Sequence, residues 1–155
     1  QSDVSLPSLA SRVTGRFAAQ SPKHHLTTDF PENFPVIIGD ETRIEQVISN
    51  LVSNALKYAP EGEIKISGTV RLEQVIICVS DEGTGIEAKD LPHIFDRFYR
   101  VDASNTAVKG VGLGMSIVRN IVLAHGGDVR VESQPGVGTT IYVALPLREP
   151  SPPAT

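Results

Sequence analysis

The stretch from Asp40 to Tyr58 constrains the fold more than any other part of the chain. Its apolar residues Ile44, Val47, Ile48, Leu51, Val52 and Ala55 recur every three or four positions, which puts them on one side of an α-helix. Asp40 is an N-cap candidate, because its carboxylate can accept from N–H groups that a first turn leaves unpaired. Pro60 and Gly62 end the helix. Such a stripe must be covered by a sheet or by other helices. A second stripe, Gln46, Asn50, Asn54 and Lys57, runs along the same helix at spacings of four, four and three. It reads as opposite much of the apolar one. Asparagine is a mediocre helix former, because its amide competes with the backbone. Two readings stay open. A solvated outer face would tolerate these amides. Alternatively, amide oxygens are hard ligands suited to Mg²⁺, and a lysine one turn on can meet phosphate charge.

The rest of the chain alternates around that helix. Residues 4–20 carry Leu6, Leu9, Val13 and Phe17 at helical spacing. Residues 24–30 and 36–38 are short extended pieces. Residues 63–71 and 74–80 form two strands joined at Leu72-Glu73. An amphipathic helix spans about 112–125 and stops at Gly126-Gly127. Residues 128–133 and 139–146 form a hairpin. Between Asp81 and Val111 lies a long stretch rich in glycine and charge, with a short helical piece near 91–99. Loops of that length in compact domains are usually functional. This order predicts an α+β fold, a two-layer α/β sandwich with helices on one face of a mixed sheet. One domain is expected over residues 1–147, followed by a disordered Pro-rich tail, 148–155.

Composition excludes some roles. With 155 residues, a net charge of −4 and no basic patch, nucleic-acid binding is disfavoured. The single cysteine, Cys78, rules out an internal disulfide. Its apolar run, Val75 to Val79, predicts a buried structural thiol. No leader and no membrane-spanning stretch are legible, so this stretch is expected to be cytoplasmic, without direct membrane contact, whatever a longer parent protein carries.

Three glycine motifs stand out. Asp81-Glu82-Gly83-Thr84-Gly85 follows an apolar strand, where glycines let a ligand approach the backbone and an aspartate can accept from an exocyclic amine. An ordinary turn uses the same residues. Lys109-Gly110-Val111-Gly112-Leu113-Gly114-Met115 runs into a helix start, a ready anion site, or a flexible hinge. It fits neither the dinucleotide fingerprint G-x-G-x-x-G nor the Walker pattern. Gly136-Val137-Gly138-Thr139-Thr140 reads first as a hairpin turn.

In this order and at these spacings, the segments resemble the ATP-binding catalytic domain of two-component sensor histidine kinases, a branch of the Bergerat-fold ATPases. Residues 46–58 (QVISNLVSNALKY) resemble the N box, 81–85 and 110–114 two glycine boxes, and 91–100 (LPHIFDRFYR) the phenylalanine box. The match covers roughly residues 4–147. The resemblance implies ATP and Mg²⁺ as cofactors and a mobile ATP lid over about 97–111. Asn50 and Asn54 match the asparagines that hold metal and phosphates, Lys57 a phosphate contact, and Tyr58 an aromatic beside the nucleotide. Asp81 matches the aspartate that reads the adenine amine. Gly83, Gly85 and Ile86 line that pocket, with Thr139 or Thr140 near the base. Arg97 and Arg100 match lid arginines that approach the γ-phosphate. Asn50, Lys57, Arg97 and Arg100 are therefore the catalytic candidates. Gly110, Val111, Gly112, Leu113 and Gly114 match the backbone around the triphosphate. Val111, Met115 and Thr84 depart from the residues most frequent there, at none of the direct ligand positions.

The family's phosphoacceptor, a histidine followed at once by an acidic residue, is not among these residues. His24, His25, His93 and His125 all lack such a neighbour and are expected to be structural or surface groups, with a positive charge on His125 favoured at a helix C-terminus. The implied partners are a separate phosphoacceptor and dimerisation domain and a response regulator, with this domain itself a monomer. The alternatives are a Bergerat-fold ATPase, an anti-sigma-type serine kinase and a degenerate binding module. The ATPase relatives carry a glutamate base where this chain has Asn50. The run Phe95 to Arg100 favours the histidine-kinase branch over the serine kinases.

Overall fold

The structure is a computed structural model, described here for residues 2–59, 61–83 and 111–147. The elements run β1 (Ser2–Val4), α1 (Leu6–Ala18), β2 (His24–Asp29), β3 (Ile37–Gly39), α2 (Glu41–Tyr58), β4 (Gly62–Arg71), β5 (Gln74–Asp81), α3 (Val111–Ala124), β6 (Asp128–Gln134) and β7 (Gly138–Pro146). Five strands form one mixed sheet in the order β2-β4-β5-β7-β6, in which β2 and β4 are parallel and the other neighbours antiparallel. The expected fold class holds.

Alternation along the strands decides which sheet face is covered. Ile64 and Ile66 of β4, Val75, Ile77 and Val79 of β5, and Ile141, Val143 and Leu145 of β7 are all buried. They meet the apolar stripe of α2, in which Ile44, Val47, Ile48, Leu51 and Val52 are buried, and Met115, Val118 and Val122 of α3. Helix α1 closes the layer through Leu6, Leu9 and Val13. It is tied to α2 by Arg12 on Glu45 at 3.0 Å and Arg16 donating to Ser49 at 2.7 Å.

Two expectations need correction. The first helix does not begin at Val4. Ser2–Val4 pairs antiparallel with β3, and Ser5 caps the helix by accepting from Ser8 N–H, with a proline in the first turn. The signal was Ser5-Leu6-Pro7, an N-cap followed by a residue pre-set for a first turn. Cys78 is not a core thiol. It lies half-buried on the sheet face away from the helices, because Val75, Ile77 and Val79 take the inward positions of β5. Partial burial still raises its thiol pKa, an effect that a hydrogen bond with Ser67 opposes. The phenylalanine-box residues, the lid and the tail 148–155 lie outside the described residues. Among the described residues no helix is long and apolar enough to cross a membrane.

Leu51 is fully buried between α2 and the sheet, so Leu51→Ala should cost about 2–5 kcal/mol in denaturant unfolding. Arg12→Ala, which loses only two solvent-exposed ion pairs, with Glu41 and Glu45, should cost under about 1 kcal/mol in the same measurement.

Candidate nucleotide site

The inward row of the sheet that begins with core residues ends with polar ones. Asp81 is paired in register with Ile64 of β4 and Thr139 of β7, and Thr139 with Ser133 of β6. Ile64, Asp81, Thr139 and Ser133 thus form one row across four strands, on the face that the helices cover. Thr139 is buried, and its hydroxyl lies 2.8 Å from the hydroxyl of Ser133, which in turn reaches Gly138 O at 3.1 Å. Gly138 is obligatory here. Its φ is +148°, and a Cβ on it would lie 2.1 Å from the carbonyl oxygen of Asp81.

The Asp81 carboxylate accepts from Gly83 N–H at 2.8 Å. Burial raises its pKa, and the backbone N–H groups of Gly83 and Thr139 only partly offset this. An acceptor held part-buried at a strand end, with one oxygen already oriented, suits a neutral hydrogen-bond donor such as an amine.

The two threonines separate. Thr139 shares Asp81's face, whereas Thr140 points to the opposite face by strand alternation. At the end of the sheet it lines a cleft of about 520 Å³ with Glu63, Ser80 and Glu132, a cleft that Asp81, Ser133 and Thr139 of the inward row also line. The cleft thus takes in both sides of the strand ends, and its inward members are the ones on the face that α2 covers.

On α2, Gln46 and Asn50 are half-buried, Asn54 is 7% exposed and Lys57 is exposed. The expectation that this stripe stands opposite the core holds for its outer members and fails for Asn54. At about 100° per residue, Asn54 falls only about 20° from Val47, which places it at the border of the core. Among the described residues, its side-chain oxygen has no hydrogen-bond partner. An amide oxygen buried and unpaired is costly, and it is the donor type that a hard cation or its water shell takes. The residues present therefore fit a Mg²⁺-linked ligand. Among the described residues no cluster of three or more His, Cys, Asp or Glu is in position to hold a metal.

The second glycine motif is partly helical. Val111, Gly112, Leu113 and Gly114 form the first turn of α3, whose leading N–H groups have no intrahelical acceptor. The side chains of these four residues and of Tyr58 lie outside the described residues, as do Gly85, Ile86, Arg97, Arg100, Gly110 and His93. His24 is structural, as expected. Its ring nitrogens meet Ser21 Oγ and Ala59 O, both at 2.5 Å, which anchors the end of α2. The Ser133 hydroxyl was not singled out in the sequence. Only its register with Thr139 reveals it.

Asp81 yields a stability prediction. Its raised folded-state pKa makes folding relatively favourable below the unfolded carboxylate pKa, and that advantage is lost as pH rises through the folded pKa. Asp81→Asn, which cannot ionise, should therefore be at least as stable as the parent at pH 7. The difference should shrink as both are titrated below about pH 4 in thermal melts.

Residues 39–149 match the family described as histidine kinase-, DNA gyrase B- and HSP90-like ATPases. The chain is 41% identical over 144 residues to the sensor histidine kinase WalK of Bacillus subtilis, covering 90% of this chain and 24% of that protein. It is 40% identical over 147 residues to the sensor-like histidine kinase SenX3 of Mycolicibacterium smegmatis, covering 92% of this chain and 38% of that one. It thus spans well under half the length of these relatives. Among solved structures, the catalytic domain of histidine kinase ThkA superposes with a TM-score of 0.83 at 26% identity, covering 95% of both chains. The mycobacterial sensor histidine kinase MprB does so with 0.79 at 27% identity, covering 93% of this chain and 95% of that one. The resemblance drawn from the ordered motifs agrees with these matches.

Proposed function

The chain belongs to the histidine kinase-, DNA gyrase B- and HSP90-like ATPase family, and on that premise we propose that it binds Mg·ATP and donates the γ-phosphoryl group to a histidine on a separate phosphoacceptor domain. From there the phosphoryl group would pass to a response regulator. The buried amide oxygen of Asn54, without a hydrogen-bond partner among the described residues, is the observation that carries this reading. It supplies a reason for asparagines on a helix border where an apolar residue would pack without penalty.

The roles follow from the chemistry of each group. The Asp81 carboxylate accepts the exocyclic amine of adenine, with Thr139 beside it and Gly83 shaping the approach. Asn50 and Asn54 present amide oxygens to the metal, and Lys57 and Tyr58, at the end of α2, meet the nucleotide. The first-turn N–H groups of α3 receive phosphate oxygens. Arg97 and Arg100 complete the charge around the γ-phosphate. When bound, Mg²⁺ neutralises phosphate charge. Phosphoryl transfer otherwise rests on positioning and electrostatic stabilisation, which these residues supply. The nucleophile belongs to the partner domain. Asn50 offers an amide where ATPase relatives carry a glutamate base, so the reading is a kinase domain with slow hydrolysis.

Calorimetric titration with ATP tests this. Binding should need Mg²⁺ for full affinity, and Asp81→Asn should weaken it about 10–100-fold, the worth of a hydrogen bond to a charged group. Unchanged affinity in Asp81→Asn would refute the adenine assignment. Incubated with γ-labelled ATP, the 155-residue chain should take up no stable label, and stable label would contradict the proposed division of labour.

A further inference from the structure

We propose that His125 is a positioning residue that locks α3 to the start of α2 and thereby sets the register of the two helices at the nucleotide site. The proposal rests on the Mg·ATP reading above. His125 follows the last turn of α3. Its Nδ1 lies 2.8 Å from the carbonyl oxygen of Ile121, which can only accept, so Nδ1 carries the proton. Its Nε2 accepts from the backbone N–H of Asp40 at 3.1 Å. The two partners together place the proton on Nδ1 and the acceptor on Nε2.

Asp40 is the N-cap of α2, and its side chain accepts from Arg43 N–H. In a capping box, the third helical residue would return the favour by accepting from the N-cap's own N–H. Here that residue is Arg43, which has no acceptor. His125 supplies the missing half of the box from another helix. Gly39 makes room for it, since a Cβ there would meet Ile44 Cδ1 at 2.8 Å and the imidazole at 3.0 and 3.2 Å.

The latch joins the C-terminal end of α3 to the N-terminal end of α2, and the two helices pack on one another from there. Asn54 stands 14 residues beyond Asp40, and the first residue of α3, Val111, stands 14 residues before His125. At 1.5 Å per residue each path is about 21 Å of helix. Equal lengths from one latch bring the first turn of α3 to the level of Asn54. A slip of one helical turn would displace the phosphate-facing N–H groups by about 5.4 Å. His125 therefore acts at a distance, through the helix pair, without touching nucleotide.

Two substitutions separate this role from ordinary helix capping. In His125→Gln, the longer amide can still accept from Asp40 N–H. In His125→Asn, the shorter amide can reach only the local Ile121 carbonyl. The proposal expects Mg·ATP affinity close to the parent in His125→Gln and about five- to tenfold weaker in His125→Asn, because a smaller fraction of the helix pair is in register. Asp40 N–H should be protected from hydrogen exchange in the parent and in His125→Gln, and unprotected in His125→Asn. The imidazole ¹⁵N shifts of the unaltered chain should report a proton on Nδ1. An Nε2–H tautomer, or equal affinity in the two variants, would overturn the role while leaving Mg·ATP binding intact. A weaker His125→Gln than His125→Asn would make His125 a local cap only, and would overturn it too. Failure of the unaltered chain to bind Mg·ATP would overturn both the role and the reading beneath it.

Discussion

The structure depends on how α2 lies on the sheet. Its apolar stripe is buried against Ile64, Ile66, Val75 and Ile77, and that contact fixes the rotation of the helix about its own axis. Once the rotation is fixed, the position of every other side chain on α2 follows from 3.6-residue geometry. Asn54 arrives at the rim of the core and not in solvent. A buried amide oxygen without a partner costs on the order of 1–3 kcal/mol, and Ala or Val at that position would pack without it. The fold tolerates an unfavourable group where α2 borders the proposed site, which is the pattern expected of a functional residue.

The sheet contributes by the same logic. Alternation that buries Val79 and Ile141 puts Asp81 and Thr139 on the same face two residues further along. There the core gives way to hydroxyls and a carboxylate, and Gly138 brings β7 against the Asp81 carbonyl more closely than any side chain would allow. Burial pushes the Asp81 carboxyl toward its neutral form, while the Gly83 N–H holds one of its oxygens in place. Helix, strand end and the first turn of α3 thus present an amide, a carboxylate and N–H groups without an intrahelical acceptor, on elements held by core packing.

Much of this was legible in the sequence. The stripe of α2, its Asp40 cap, the β4–β5 and β6–β7 pairs and the two helix stops could be read from periodicity and turn residues, and the ordered motifs pointed to the family. The misses share a cause, since each was decided by pairing across the chain. Ser2–Val4 became a strand because β3 offered a partner, which no local pattern announces. Cys78 turned outward because strand parity, and not the apolarity of its neighbours, decides its face. The choice between Thr139 and Thr140 needed the register with Asp81. The links of Ser133 to Thr139 and of His125 to Asp40 were silent for the same reason, because each joins two elements.

On the proposed reading, adenine and metal meet the chain on the covered face of the sheet, between Asp81 and Asn54. A crystal structure with a non-hydrolysable ATP analogue and Mg²⁺ tests it most directly. The account predicts the exocyclic amine within hydrogen-bond distance of the Asp81 carboxylate, and the Asn54 oxygen on the metal or on one of its waters. A nucleotide held on the outer side of the strand ends, beside Glu63 and Thr140, with Asp81 and Asn54 untouched, would contradict it.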